Sequence, residues 1–176
     1  MDIEKCFDTI DHELLIKLLN EEIADGRVLR LIRSFLEAGI MEEMNVEYTI
    51  TGTPQGGVIS PLLANIYLHP LNEAMTQEGF RIIRYADDIV VLCRTRQEAE
   101  QAVNRIRQIL EEDLKIRLNN QKTRVVHKSQ GFEFLGYYFS CGYSNYKLPR
   151  KRAVESFKDK VQGFLPADNS LNRCPR

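Results

Sequence analysis

Histidine and cysteine are scarce in this 176-residue chain, which has three of the first and four of the second. Cys6, Cys93, Cys141 and Cys174 are widely spaced and form no CxxC pair. That excludes a zinc site or a disulfide framework as the organising device and leaves reduced, mostly buried thiols. No apolar run approaches the roughly 18 residues of a membrane-spanning helix. The first residues, MDIEKCFD, are charged at once and are no signal peptide. A cytoplasmic protein without a membrane partner is expected. There is also no internal repeat and no long linker. Apolar residues at 43% and charged residues at 28% suit an ordinary folded chain, large enough for one domain or for one domain and part of another.

The net charge of -1 hides a division. Residues 1–114 hold 11 Lys and Arg against 21 Asp and Glu, whereas residues 115–176 hold 13 against 4. An acidic body followed by a basic segment suits a polyanion held along one side, or simply a solvated surface.

Periodicity supplies the elements. DIEKCF starts as a short strand. DHELLIKLLNEEI is a helix with Asp11 as N-cap and Leu14, Leu15, Leu18, Leu19 and Ile23 on one face. RVLRLIRSFLEAG is a second amphipathic helix ending at Gly39, and VEYTIT alternates as a strand into the loop GTPQGG. Ser60-Pro61 opens the next helix with serine as cap, and Pro70 should bend or interrupt it. Thr95 and Glu98 form a capping box before the apolar series Ala99, Ala102, Val103, Ile106, Ile109, Leu110 and Leu114. KIRLN and KTRVVH are short extended pieces, and FEFLGYYFS is a strand interrupted by Gly136. A basic loop then leads to a helix from about 152 to 164, and PADNSLNRCPR is expected to be disordered. This order implies an α+β fold, an antiparallel sheet with helices on one face.

RIIRYADDIVVLC poses the chemical question. Asp87 and Asp88 stand side by side between two apolar arms, although burying ionised carboxylates is costly without compensation. A hairpin turn accounts for them; so does a divalent cation taking hard oxygen ligands at a hairpin tip. Asp2 lies on another short strand. If that strand pairs beside the hairpin, three carboxylates converge and could hold two divalent ions about 4 Å apart, a clamp for in-line displacement at phosphorus.

Five stretches carry a family resemblance in a fixed order: DIEKCFDTIDHELL, TPQGGVISPLLANIYLHPLNE, YADD, LNNQKT and FEFLGYYF. Together they resemble the palm of group II intron reverse transcriptases, the intron-encoded maturases, over roughly residues 2–140. The resemblance implies a polymerase palm of ferredoxin- or RRM-like topology over residues 1–142, with the start of a thumb and a tail over 143–176. It implies that Asp2 and Asp87 are the main metal ligands with Asp88 a weaker one, using two Mg2+ ions with Mn2+ as a possible substitute. Phe7 would exclude a ribose 2'-hydroxyl by collision, a discrimination made by clash. Gln55 and Gly56 would meet the incoming nucleotide, the glycine by close backbone approach and the glutamine by its amide. Tyr85 would flank the primer end, and Lys122 would protonate or stabilise the departing pyrophosphate. Gly136 would let the primer backbone pass. Lys147, Arg150, Lys151 and Arg152 would track the template-primer duplex through phosphates.

The implied partners are an RNA template, a DNA primer and deoxynucleoside triphosphates, with intron RNA for the intact parent. The family's fingers precede the first palm motif, whereas here only Met1 precedes Asp2. The chain is therefore expected to be a fragment with little polymerase activity alone. It could self-associate through a sheet edge left unpaired. The alternatives are a non-catalytic RNA-binding splicing cofactor, or a retron, diversity-generating or CRISPR-associated reverse transcriptase.

Overall fold

The computed structural model describes residues 1–37, 40–42, 45–47, 52–53, 57–141 and 145–164. They fall into two compact units, Met1–Val125 and Val126–Arg176. Compactness thus divides the chain at Val125, ahead of the palm–thumb boundary at 142/143 expected from the resemblance. Gly39, Gln55, Gly56 and the tail from residue 165 lie outside the described residues.

In the first unit, Cys6–Asp8 forms a 3-10 turn, followed by α1 (His12–Glu22) and α2 (Gly26–Glu37). Asp11 caps α1 as expected, its Oδ1 accepting from the Leu14 amide at 3.0 Å. Leu15 and Leu19, one turn apart, are buried where α1 packs on α2 and on the later helix Ser60–Tyr67. The backbones of β1 (Ile40–Glu42) and β2 (Asn45–Glu47) pair antiparallel. The helix expected after Ser60 is two: α3 (Ser60–Tyr67) and α4 (His69–Gln77), separated at Leu68. Pro70 sits in the first turn of α4, where its missing N–H removes no hydrogen bond, so the expected interruption falls there. Ser60 is not the cap. Ile59 occupies that place, and Ser60 is buried inside the first turn.

β3 (Arg81–Tyr85) and β4 (Asp88–Leu92) form the expected hairpin, with Tyr85 opposite Asp88. The Thr95 hydroxyl accepts from the Glu98 amide at 3.1 Å and starts α5 (Arg96–Gln108). The Glu98 carboxylate reaches past Thr95 to the Arg94 amide at 2.7 Å, so the expected reciprocal box is displaced by one residue. α5 continues into a wider π turn, Ile109–Asp113, closed by the Leu114 amide on the Ile109 carbonyl. Ile106, Ile109, Leu110 and Leu114 all reach the core there, each worth about 1.5–3 kcal/mol when fully buried. α4 packs on β3, and α5 on β4 and α4. KTRVVH forms no ladder among the described residues.

The second unit holds β5 (Phe132–Phe134), β6 (Tyr137–Cys141), β7 (Asn145–Pro149) and α6 (Lys151–Phe164). FEFLGYYFS is therefore a hairpin and not one interrupted strand. Phe134 faces Tyr137 across Leu135 and Gly136, whose φ values are 50° and 79°. Positive φ at both central residues matches the right-handed twist of the flanking strands, and glycine adopts it without a Cβ clash. The expected basic loop is also strand, because β7 pairs with β6 and sets Lys147 opposite Phe139.

The architecture is α+β with small antiparallel sheets, ordered β1-β2, β3-β4 and β5-β6-β7. The expected α+β class is thus found, with its antiparallel pairing divided among small sheets. Next to β4 the pairing continues through isolated bridges, Asp2 with Asp88 and Ile3 with Leu118.

Asp11 also bonds Lys115 Nζ at 2.6 Å, and its amide donates to Tyr67 Oη at 3.3 Å. Asp11→Ala is expected to lower stability by about 1 kcal/mol, mainly through the lost cap; the exposed lysine adds little. The Lys115 ammonium first, then the Leu14 amide, holds the folded Asp11 carboxyl below its ordinary value. This contribution is thus present above the unfolded pKa and is lost as pH falls through the depressed folded one. Denaturant midpoints of both chains should converge in acid.

Candidate active site

Residues 1–4 lie between two partners. Met1 and Ile89 exchange hydrogen bonds, the terminal ammonium donating to the Ile89 carbonyl at 2.8 Å and the Ile89 amide to Met1 at 2.9 Å. On the other side the Asn119 amide donates to the Asp2 carbonyl at 3.0 Å, and the Glu4 amide to the Arg117 carbonyl at 2.9 Å. Side chains alternate along extended backbone. Ile3 and Ile89 are buried in the core, so Asp2 and Asp88, directly opposite one another, stand on the other face.

Asp87 occupies the hairpin turn after Ala86, whose φ is 51°. Such a conformation costs about 1–3 kcal/mol outside glycine and persists only where surroundings enforce it. Asp2 and Asp87 line one cavity of about 310 Å³, together with Cys6, Phe7, Asn119 and Lys122. The strand expected to run through Phe7 ends at Ile3. Lys5 turns left-handed at φ 46°, and Phe7 then rides the 3-10 turn onto the cavity.

Lys122 meets Asp2 directly, its Nζ 2.6 Å from Oδ2. Asn119 explains the approach. Its Oδ1 accepts from the Gln121 and Lys122 amides at 3.1 and 3.2 Å, folding LNNQKT into a turn, while its own amide holds Asp2. The Asp2 carboxylate beside it, and more weakly Asp87 and Asp88, raise the Lys122 ammonium pKa above its ordinary value. The Asp88 carboxyl is raised too, first by burial, then by repulsion from Asp87 and Asp2. Cys6 lies beneath this cluster, and burial followed by the Asp87 charge pushes its thiol up to about 12.

The three carboxylates stand near one another, since Asp2 pairs opposite Asp88 and both Asp87 and Asp2 repel the Asp88 carboxylate. Among the described residues no group of three His, Cys, Asp or Glu side chains is arranged to hold a metal ion. Asp88 lies outside the cavity lining, and the Asp2 carboxylate meets an ammonium where a third carboxylate was expected. Two hard carboxylates on one cavity still fit Mg2+, which is held by one or two carboxylates and takes its remaining ligands from water and substrate phosphates.

The other expected residues divide by unit. Tyr85 stands exposed on the same face as Asp88. Gln55 and Gly56 lie outside the described residues. In the second unit nothing comes within 4 Å of a Cβ built on Gly136, so its turn explains the glycine. Arg150 donates its amide to the Gly136 carbonyl at 2.9 Å, and its guanidinium lies 3.9 Å from Glu133. Lys147, Lys151 and Arg152 are exposed.

Sequence reasoning passed over Arg84, Asn65, Asn72 and Asn119. A usable signal existed for Arg84: in RIIRY it shares a face with Ile82 and lies opposite the buried Ile89, an uncommon place for a guanidinium.

Residues 1–139 match the family model described as reverse transcriptase (RNA-dependent DNA polymerase). The chain is 28% identical over 200 residues to the group II intron-encoded protein LtrA of Lactococcus lactis subsp. cremoris, covering 77% of this chain and 33% of that protein. It is 31% identical over 205 residues to protein YkfC of Escherichia coli (strain K12), covering 97% of this chain and 51% of that one. A chain of a partial Cas6-RT-Cas1–Cas2 complex is 29% identical, with 64% of this chain and 22% of that chain covered and a TM-score of 0.37. The chain thus spans a third to a half of the length of these two curated relatives.

Proposed function

The chain belongs to the reverse transcriptase (RNA-dependent DNA polymerase) family, and we propose that it is the palm of a group II intron-encoded polymerase that extends a primer on an RNA template. The family acts on a template-primer and deoxynucleoside triphosphates and uses divalent metal ions. The observation that carries the reading is the shared cavity, which puts Asp2, Asp87, Phe7 and Lys122 around one space.

Asp2 and Asp87 would hold the metal, Mg2+ or Mn2+, with Asp88 behind them. Two bound ions would sharpen the primer 3'-hydroxyl as a nucleophile and stabilise the leaving phosphate. Phe7 would close the space against a 2'-hydroxyl, and Gln55 and Gly56 would meet the nucleotide. Lys122 starts on Asp2. Drawn off by an arriving triphosphate, it would place a proton donor beside the leaving pyrophosphate. Tyr85 and Gly136 would border the primer, and Lys147, Arg150, Lys151 and Arg152 would hold duplex phosphates. The palm would extend to residue 142 and the thumb would begin at 143. Intron RNA is the proposed partner of the longer protein, in the cytoplasm, and an exposed strand edge would favour self-association.

The test joins this chain to the rest of the Lactococcus lactis relative, of which it covers 33%, and follows extension of a DNA primer on RNA. Metal-dependent extension by the joined protein, with little by the chain alone, is expected. No extension under any divalent metal would overturn the reading. Duplex affinity should fall steeply between low and moderate salt, since phosphate contacts release counterions; a flat response counts against the basic segment.

A further inference from the structure

Arg84 is a half-buried cation that the reaction described above does not use. On β3 it faces the core beside the helices, where a guanidinium needs every donor satisfied. Its partners are all neutral oxygens. Nε donates to Asn72 Oδ1 at 3.1 Å, Nη1 to Asn65 Oδ1 and to the Ala86 carbonyl at 2.9 Å each, and Nη2 to the Asn65 carbonyl at 3.4 Å. Asn65 is on α3 and Asn72 on α4, on either side of the break made at Leu68. One planar fork therefore joins two helices to a single turn carbonyl. That carbonyl belongs to Ala86, the residue with φ of 51°, immediately before Asp87. An alanine in this conformation needs external support, and Arg84 is in place to give it.

We propose that Arg84 is a positioning residue for Asp87: clamped by Asn65 and Asn72, it grips the Ala86 carbonyl and fixes the turn that aims the Asp87 carboxylate into the cavity beside Asp2. The inference rests on the metal-binding reading of that cavity, and it explains why the clamp is arginine. A lysine ammonium is a point charge that cannot span both asparagines and the carbonyl. Outer residues that orient a metal ligand commonly change metal affinity by about 10–100-fold when altered.

The experiment uses the whole chain with Arg84→Lys, Arg84→Met and Asn65→Ala. Amide hydrogen exchange at residues 86–89 is compared with exchange in α5, and Mn2+ alone is titrated while paramagnetic broadening at Asp2 and Asp87 is followed. In Arg84→Lys, exchange at 86–89 should rise about tenfold or more with α5 unchanged, and broadening should require about tenfold more Mn2+. Asn65→Ala should move the same amides in the same direction. Unchanged exchange at the turn in both Arg84 variants overturns the proposal. So does a rise spread equally through α5, which marks a merely structural residue. Absence of Mn2+ broadening in the unaltered chain would instead sink the metal reading, and the exchange comparison would still decide the role of Arg84.

Discussion

Asp87→Asn is expected to lower metal-dependent primer extension by the joined polymerase at least about 100-fold, or near 2.7 kcal/mol in the activation barrier. Asparagine keeps the shape of the side chain and one acceptor oxygen. It loses the charge, which is what distinguishes a metal platform from a turn residue. Asp87 sits at a hairpin tip, half-exposed, and lines the cavity with Asp2. The turn itself is set by Ala86 and by the strand register, both of which asparagine respects. Folding should therefore survive, and removing a like charge beside Asp88 should leave stability unchanged or slightly higher. The prediction fails if extension falls less than about tenfold, or if its loss is matched by a lower denaturant midpoint. Asp88→Asn is the internal comparison. Because Asp88 lies outside the cavity lining, its replacement should reduce the rate less than that of Asp87.

The same residues show how far the sequence could be read. α1 and α5 were legible because their apolar positions recur at helical spacing and each has a capping side chain, Asp11 or Thr95. The break near Pro70 was legible because proline has no amide to donate. The Asp87–Asp88 hairpin was legible from two apolar arms around a polar pair. Local conformation set against type was not. Lys5, Ala86 and Leu135 adopt positive φ without being glycine, so nothing in their letters announces the left-handed backbone at these three positions. Contacts that depend on several remote partners were also hidden. The place of Arg84 on the Ile82 face hints at burial, but its partners Asn65, Asn72 and Ala86 are known only once the fold brings them to it. The ammonium beside Asp2 was hidden as well, because only the turn built on Asn119 delivers Lys122 to it.

Gly52→Ala tests a coupling that only the three-dimensional arrangement shows. Gly52 and Thr53 begin the stretch GTPQGG, and both are fastened to the segment that carries Phe7. The Gly52 amide donates to the Ile10 carbonyl at 2.9 Å, and the Thr53 amide to the Phe7 carbonyl at 2.7 Å. The buried His12 ring donates through Nε2 to the Gly52 carbonyl. Gly52 has φ of 91°, and a Cβ there would lie 2.8 Å from the Asp8 carbonyl oxygen and 2.9 Å from its Cα. Those are backbone atoms, which no rotamer change can move aside. Strained φ costs about 1–3 kcal/mol and overpacking about as much again, so a loss of roughly 2–6 kcal/mol is expected in denaturant unfolding. Relief would come by pushing the Cys6–Asp8 turn away from the loop and with it the Phe7 ring. If Phe7 excludes ribonucleotides by collision, the joined polymerase carrying Gly52→Ala should then lose discrimination between deoxy- and ribonucleotides along with stability. His12→Ala removes the ring's hydrogen bond without adding a Cβ at Gly52, and it should weaken folding while disturbing the Phe7 turn less. An alanine at 52 that left the unfolding midpoint unchanged would show that the loop and the Phe7 turn are not locked together.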